Sequence, residues 1–192
     1  MNFLAHFHLA WPDEGLVVGG LEGDFFKGPL PGTLPPALER GVKLHRAIDA
    51  YTDGHPLIQQ LRRDLPPGLR RYAGILIDLS FDHYLSLHWS HFSTIPLRDF
   101  SNRIYRSLIA REKDLSEGAR RMAARLVEYD VLNLYLEWET VLASATRLGQ
   151  RFKRHNPFLD IDRELSPAKE VLEEAFLNFY PQLQLFCEGR NE

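Results

Sequence analysis

Residues 75–92 read ILIDLSFDHYLSLHWSHF. Ile75, Leu76, Ile77, Leu79, Phe81, Tyr84, Leu85 and Leu87 make a helix that is apolar almost all round, and such a helix is a buried one. Yet the same stretch carries Asp78, Asp82, His83, His88 and His91. Asp78 and Asp82 are four residues apart, so they share a helical face. Two carboxylates one turn apart in a buried helix repel each other and do not both ionise cheaply without a counter-charge. A metal ion, or a pair of arginines, would supply it. The pattern extends this helix over about 69–91, with Pro96 as the break beyond it.

Working outward, helical periodicity dominates and alternating strands are missing. Helices are expected over 2–10, stopped by Pro12, and over 14–26. In the second, Gly15, Gly19, Gly20 and Gly23 cost helix propensity, so close packing has to compensate. GPLPGTLPP (28–36) reads as a loop. A helix follows from Pro36 to Asp53, with proline in its first turn, where a missing N–H costs little. Further helices fit 56–64, 97–111, 116–128, 130–154 and 167–187. Ser116 and Ser166 are expected as N-caps, with Pro167 at the first helical position. No repeat, low-complexity tract or linker interrupts the chain. The expectation is one all-α domain, a helical bundle over residues 1–192.

The bulk numbers fit that picture. A chain of 192 residues, 44% hydrophobic and 26% charged, is long enough for one sizeable core. The formal net charge of −3 gives no global case for nucleic-acid binding. Cys187 is the single cysteine, which excludes disulfides and Cys-based zinc sites within one chain. The N-terminus lacks the basic segment of a signal peptide, and no apolar run is long enough to span a bilayer. A cytoplasmic protein without a membrane or nucleic-acid partner is expected.

Ligand-type residues recur elsewhere. In KLHRAIDAYTDGHP (43–56), His45, Asp49 and Asp53 line one stripe, with Arg46 beside it. Carboxylate plus imidazole is a usual ligand mixture for Mn²⁺, Fe²⁺ or Zn²⁺. HFH supplies His6 and His8, and GDFFKG supplies Asp24 and Lys27. His6 and His8, two apart, do not share a helical face. Plainer readings stand beside these: an Asp49–Arg46 structural pair, His83 as a satisfied core histidine, His88 and His91 as surface residues near a helix end.

Taken together, MNFLAHFHLA (1–10), GGLEGDFFKG (19–28), GVKLHRAIDAYTDGHP (41–56) and GILIDLSFDHYLSLHW (74–89) resemble the acyl carrier protein phosphodiesterases. The resemblance is close over residues 1 to about 92 and continues in length and helical character. It implies an HD-domain-like all-α fold, although the dyad here is Asp82-His83 rather than His-Asp. It implies hydrolysis of the phosphodiester joining 4′-phosphopantetheine to a serine of holo acyl carrier protein, with Mn²⁺ as the expected metal and Mg²⁺, Fe²⁺ or Zn²⁺ as alternatives. The expected metal-site group is Asp24, His45, Asp49, Asp78, Asp82 and His83. Six exceed what one ion with open positions takes, so some orient the others or there are two ions. Arg46 and Lys27 are expected on the phosphate, and His6 or His8 as proton donor to the leaving serine oxygen. The acidic carrier protein is expected to dock on Arg62, Arg63, Arg70 and Arg71, which flank the DLPPG turn. The cluster Arg120, Arg121 and Arg125 reads as a solvated helix face. An Asp78→Ala variant is expected to fold and lose turnover. Two other functions compete: an HD-type phosphohydrolase acting on a nucleotide or small diester, and a non-catalytic helical binding module.

Overall fold

The computed structural model describes residues 2–30, 32, 34–152 and 156–190. Every regular element among them is a helix: α1 (Phe3–Ala10), α2 (Glu14–Phe25), α3 (Pro36–Gly54), α4 (Pro56–Asp64), α5 (Ala73–Leu87), α6 (Trp89–Phe92), α7 (Leu97–Ala110), α8 (Glu117–Glu128), α9 (Val131–Leu134), α10 (Trp138–Gly149), α11 (Ile161–Leu165) and α12 (Lys169–Glu188). The opening stretch became α5, and its burial is as expected. Eleven of its fifteen residues are buried, including Ser80, Asp82, His83 and Ser86. It packs against α1, α10 and α12. One hydrophobic core joins these helices, with Phe81, Phe176, Phe179 and Tyr180 among its largest side chains. No helix among the described residues is long and apolar enough to cross a membrane.

The glycines of α2 have the compensation they need. A Cβ on Gly15 would lie 2.4 Å from Ala37 Cβ. One on Gly19 would lie 2.3 Å from the Leu38 carbonyl oxygen and 2.7 Å from Gly41 Cα. One on Gly23 would lie 2.5 Å from His45 Cγ. These contacts climb both helices in step, so α2 and α3 lie side by side in the same direction. The two ends to be joined, Phe25 and Pro36, therefore lie about one α2 length apart, about 18 Å at about 1.5 Å per residue. Ten residues reach that far easily. The result brings the C-terminal end of α2, with Asp24, beside the middle of α3, with His45.

Three expected boundaries moved. The 69–91 helix is a 3-10 turn (Arg70–Tyr72), then α5, then α6, because the backbone leaves the helix at His88. The 130–154 helix divides into α9 and α10. Asp130 sits in the left-handed region (φ 49°) ahead of α9, and α10 ends at Gly149, whose carbonyl accepts from Asn156 Nδ2 at 3.0 Å. Residues 153 and 154 of that expectation, like 31 and 33 of the expected loop, lie outside the described residues. Ser166 does not cap α12. Its hydroxyl donates to Asp162 instead, and α12 starts three residues later. Ser116 does cap α8, accepting from the Ala119 N–H.

Candidate metal centre

His6 from α1 and His45 and Asp49 from α3 converge. His6 Nε2 lies 3.2 Å from Asp49 Oδ1, and His45 Nε2 lies 3.1 Å from Asp49 Oδ2. The two imidazoles stack, centroids 4.1 Å apart and planes 19° apart. One ligand atom from each residue falls within a 4.8 Å cluster. Asp24 stands at its edge, Oδ1 3.8 Å from His45 Nε2. Donors about 2.1 Å from one cation stand about 3 Å from one another, and each imidazole stands at about that spacing from one carboxylate oxygen of Asp49. Hydrogen bonds give the same spacing, and each Nε2 faces an Asp49 oxygen, while Nδ1 of buried His6 and of buried His45 has no hydrogen-bond partner. Buried polar atoms normally do. Two nitrogens and a carboxylate suit Mn²⁺, Fe²⁺ or Zn²⁺.

The electrostatics suit a cation too. Burial pushes the His6 imidazole down to about 4, with Asp49 opposing, so the ring is neutral near pH 7 and its lone pair is free to ligate. Burial works to raise the Asp49 carboxyl, but the two imidazoles against it prevail and hold it well below the usual carboxylate range. Asp24 goes the other way: burial raises its carboxyl, with Asp49 adding to the rise and His45 and Lys27 pulling it down. The histidines form a buried wall, each 5% exposed, while the Asp49 and Asp24 side chains are 44% and 45% exposed. The centre therefore opens on its carboxylate side. Lys27 is exposed three residues past Asp24, and the half-buried Arg46 donates from Nη2 to the Phe26 carbonyl at 2.9 Å.

Of the residues expected to form the metal-site group, Asp24, His45 and Asp49 come together, and three do not join them. Asp82 is fully buried and its carboxylate accepts the N–H groups of Leu4 (2.8 Å) and Ala5 (3.2 Å). It caps α1 from another part of the chain. His83 turns elsewhere: its Nδ1–H donates to the Tyr135 carbonyl at 2.9 Å and its ring meets Trp138 edge-on. Asp78 lies half-buried one turn before Asp82, near enough for its charge to raise the Asp82 carboxyl. The Asp82-His83 dyad thus diverges, as adjacent residues on a helix must.

The two histidines expected as proton donors also separate. His6 sits inside the donor cluster, a place the sequence reading did not give it. His8 lies on the other side of α1, where burial lowers its imidazole to about 4. A neutral His8 with Nε2–H donating to the Phe92 carbonyl (3.2 Å) accepts at Nδ1 from the Tyr180 hydroxyl (2.7 Å). Both nitrogens are thereby engaged. Gly23 was also missed as a site residue, although any side chain there would displace His45. Its signal was present in the four-residue glycine spacing of α2.

A sequence model of the family described as acyl carrier protein phosphodiesterase matches residues 1–183. Curated relatives carrying that name include one from Klebsiella pneumoniae subsp. pneumoniae, 30% identical over 99% of both chains. Another, from Escherichia coli O6:H1, is 30% identical over 95% of both, and one from Enterobacter sp. is 29% identical over 99% of both. No solved structure matches. With a family match over nearly its whole length and relatives that agree with it end to end, the chain belongs to the acyl carrier protein phosphodiesterase family.

Proposed function

We propose that this protein is a phosphoric diester hydrolase that cleaves the bond between 4′-phosphopantetheine and a serine of holo acyl carrier protein, giving apo carrier protein and 4′-phosphopantetheine, with a divalent cation, Mn²⁺ first among them. Family membership supports the reaction class and the partner. The observation that carries the chemistry is the convergence of two buried imidazoles, His6 and His45, on the carboxylate of Asp49.

In this reading His6, His45 and Asp49 hold the cation, and Asp24 completes its edge. Such a cation supplies positive charge against a phosphoryl oxygen and lowers the pKa of water, so that a nucleophile forms near neutral pH. The stacked imidazoles close the back of the site. Substrate enters past Asp24 and Asp49, where the side chains reach solvent. Arg46 and Lys27 flank that entrance and offset the charge of the diester, Arg46 with its guanidinium fixed by the Phe26 carbonyl. Arg62 pairs with Asp53, one turn beyond Asp49 on α3. The basic group Arg62, Arg63, Arg70 and Arg71 therefore begins next to the entrance, which suits docking of an acidic helical protein.

The test is conversion of holo to apo carrier protein, followed by native gel with Mn²⁺ added or chelated. Conversion with Mn²⁺, its loss on chelation, and a drop of about 100-fold or more in His45→Ala and Asp49→Asn with helical content kept are expected. An unchanged holo band beside brisk turnover of a nucleotide or generic diester would overturn the carrier-protein assignment. No bound metal and no activity with any divalent ion would favour the binding-module reading instead.

A further inference from the structure

The carboxylate that looked most like a misplaced metal ligand has another task. α1 is only eight residues long, and its own N-cap, Asn2, makes no side-chain capping bond. An isolated helix of that length is marginal in water. The N–H groups of its first turn have no partners within the helix, and Leu4 and Ala5 are both fully buried, so no water replaces them. Asp82 accepts both, across 78 and 77 residues of sequence.

Two bonds from one carboxylate to consecutive amides fix more than a helix end. They set where α1 lies along its axis and how it is rotated. His6 follows one residue after Ala5, and its ring must face His45 at 4.1 Å. One residue of slippage in an α-helix turns a side chain by about 100°, which would carry His6 out of the cluster. We propose that Asp82 is a positioning residue: it locks the rotation of α1 through the Leu4 and Ala5 amides and thereby holds His6 against His45 and Asp49. The inference rests on the reading of those three residues as the catalytic centre, and it gives Asp82 a task other than cation ligand.

The experiment compares Asp82→Ala, which removes both acceptors, with Asp82→Asn, which keeps one at the same reach. His6→Ala serves as the reference for the centre. In metal-free protein, the nuclear Overhauser contact between the His6 and His45 rings is expected to be lost in Asp82→Ala and kept at reduced strength in Asp82→Asn. With Mn²⁺ and holo carrier protein, kcat is expected to fall about 10- to 100-fold in Asp82→Ala, in line with residues that orient ligands. Most of that loss should be recovered in Asp82→Asn, with KM within about twofold throughout. If Asp82→Ala keeps both the ring contact and kcat, the proposal fails. It also fails if both variants keep the ring contact but are equally inactive, since that pattern belongs to a cation ligand. Should Asp82→Ala not fold, Asp82→Asn decides by whether ring contact and kcat fall together. A His6→Ala enzyme with undiminished turnover would remove His6 from the centre, and the ring contact would still show whether Asp82 sets the position of α1.

Discussion

Asp82 carries a second consequence at the scale of a single residue. Burial pushes its carboxyl up to about 7, against the two amide N–H groups that favour the charged form, and Asp78 adds to the rise. Tyr135 and Tyr180, both buried phenols, also feel its charge. In the unfolded chain an aspartate titrates near about 4. The folded protein therefore holds this proton more tightly. The stability it contributes is fully present below about pH 4 and is lost as pH rises through about 7. His6 and His8 work in the opposite sense. Their imidazoles are lowered to about 4, so their contribution is present above about pH 6.5 and lost as pH falls. Comparison with Asp82→Asn, which does not titrate, isolates the carboxyl. In chelator-treated protein, Tm of the natural chain should fall relative to Asp82→Asn between about pH 5 and about pH 8. A constant gap between the two curves would show that the carboxyl does not change its proton there.

At the scale of elements, the α2–α3 pair decides where the centre can form. Its contact is made backbone to backbone, and the glycines differ sharply in what surrounds them. Gly19 faces the Leu38 carbonyl and Gly41, whereas Gly20, one residue on, has nothing within 4 Å of a Cβ. Gly19→Ala should destabilise by about 3 kcal/mol or more, because both obstacles are main chain and cannot turn aside. Gly20→Ala should be neutral or stabilising by about 0.5–1 kcal/mol, as alanine is the better helix former. Chemical denaturation of the two variants checks this, and equal stabilities would contradict the packing. Gly23→Ala meets a ring rather than main chain, so its main effect should be on His45. Turnover should fall by about tenfold or more with a smaller loss of stability, read as kcat beside Tm. The start of α8 is tied to the same pair. Buried Glu22 accepts from the Ser116 N–H at 2.9 Å, and Gly118 lies against Phe25.

At the scale of the whole molecule, a net charge of −3 sets a condition on binding an acidic partner. Overall repulsion must be overcome locally. Arg70 and Arg71 are exposed, as is Arg63, which Gln60 holds in place through its oxygen. The Arg121 guanidinium instead pairs with Glu117, and Arg120 is used on the carbonyls of Glu112 and Leu115. In the first group Arg62 pairs with Asp53 and Arg70 donates to the Leu65 carbonyl, so Arg63 and Arg71 are the two arginines on which the proposed steering is tested. Reversing Arg63 and Arg71 to glutamate should raise KM for holo carrier protein by about fivefold or more at low salt, with kcat little changed. The difference should shrink as ionic strength rises. Steady-state kinetics over a salt series would reveal it, and a fall in kcat alone would place those arginines elsewhere in the cycle.

The sequence by itself determined that the chain is helical, that the helix carrying Asp78 and Asp82 is a buried one, and that carboxylates and imidazoles sit on otherwise apolar helices. Those are properties of spacing within one element, and periodicity reports them directly. It also singled out Asp24, His45 and Asp49, though together with Asp78, Asp82 and His83: His45 and Asp49 share a turn of α3, and Asp24 stands in the GDFFKG stretch of the family resemblance. Only the tertiary structure decided that His6 joins them, that Asp82 holds α1 in place, and that His83 and His8 serve the Tyr135 and Phe92 carbonyls. The reason is geometric. A helix's own pattern says which of its residues share a face, but the rotation of one helix against another is set by contacts between residues some eighty positions apart, and no local spacing records them.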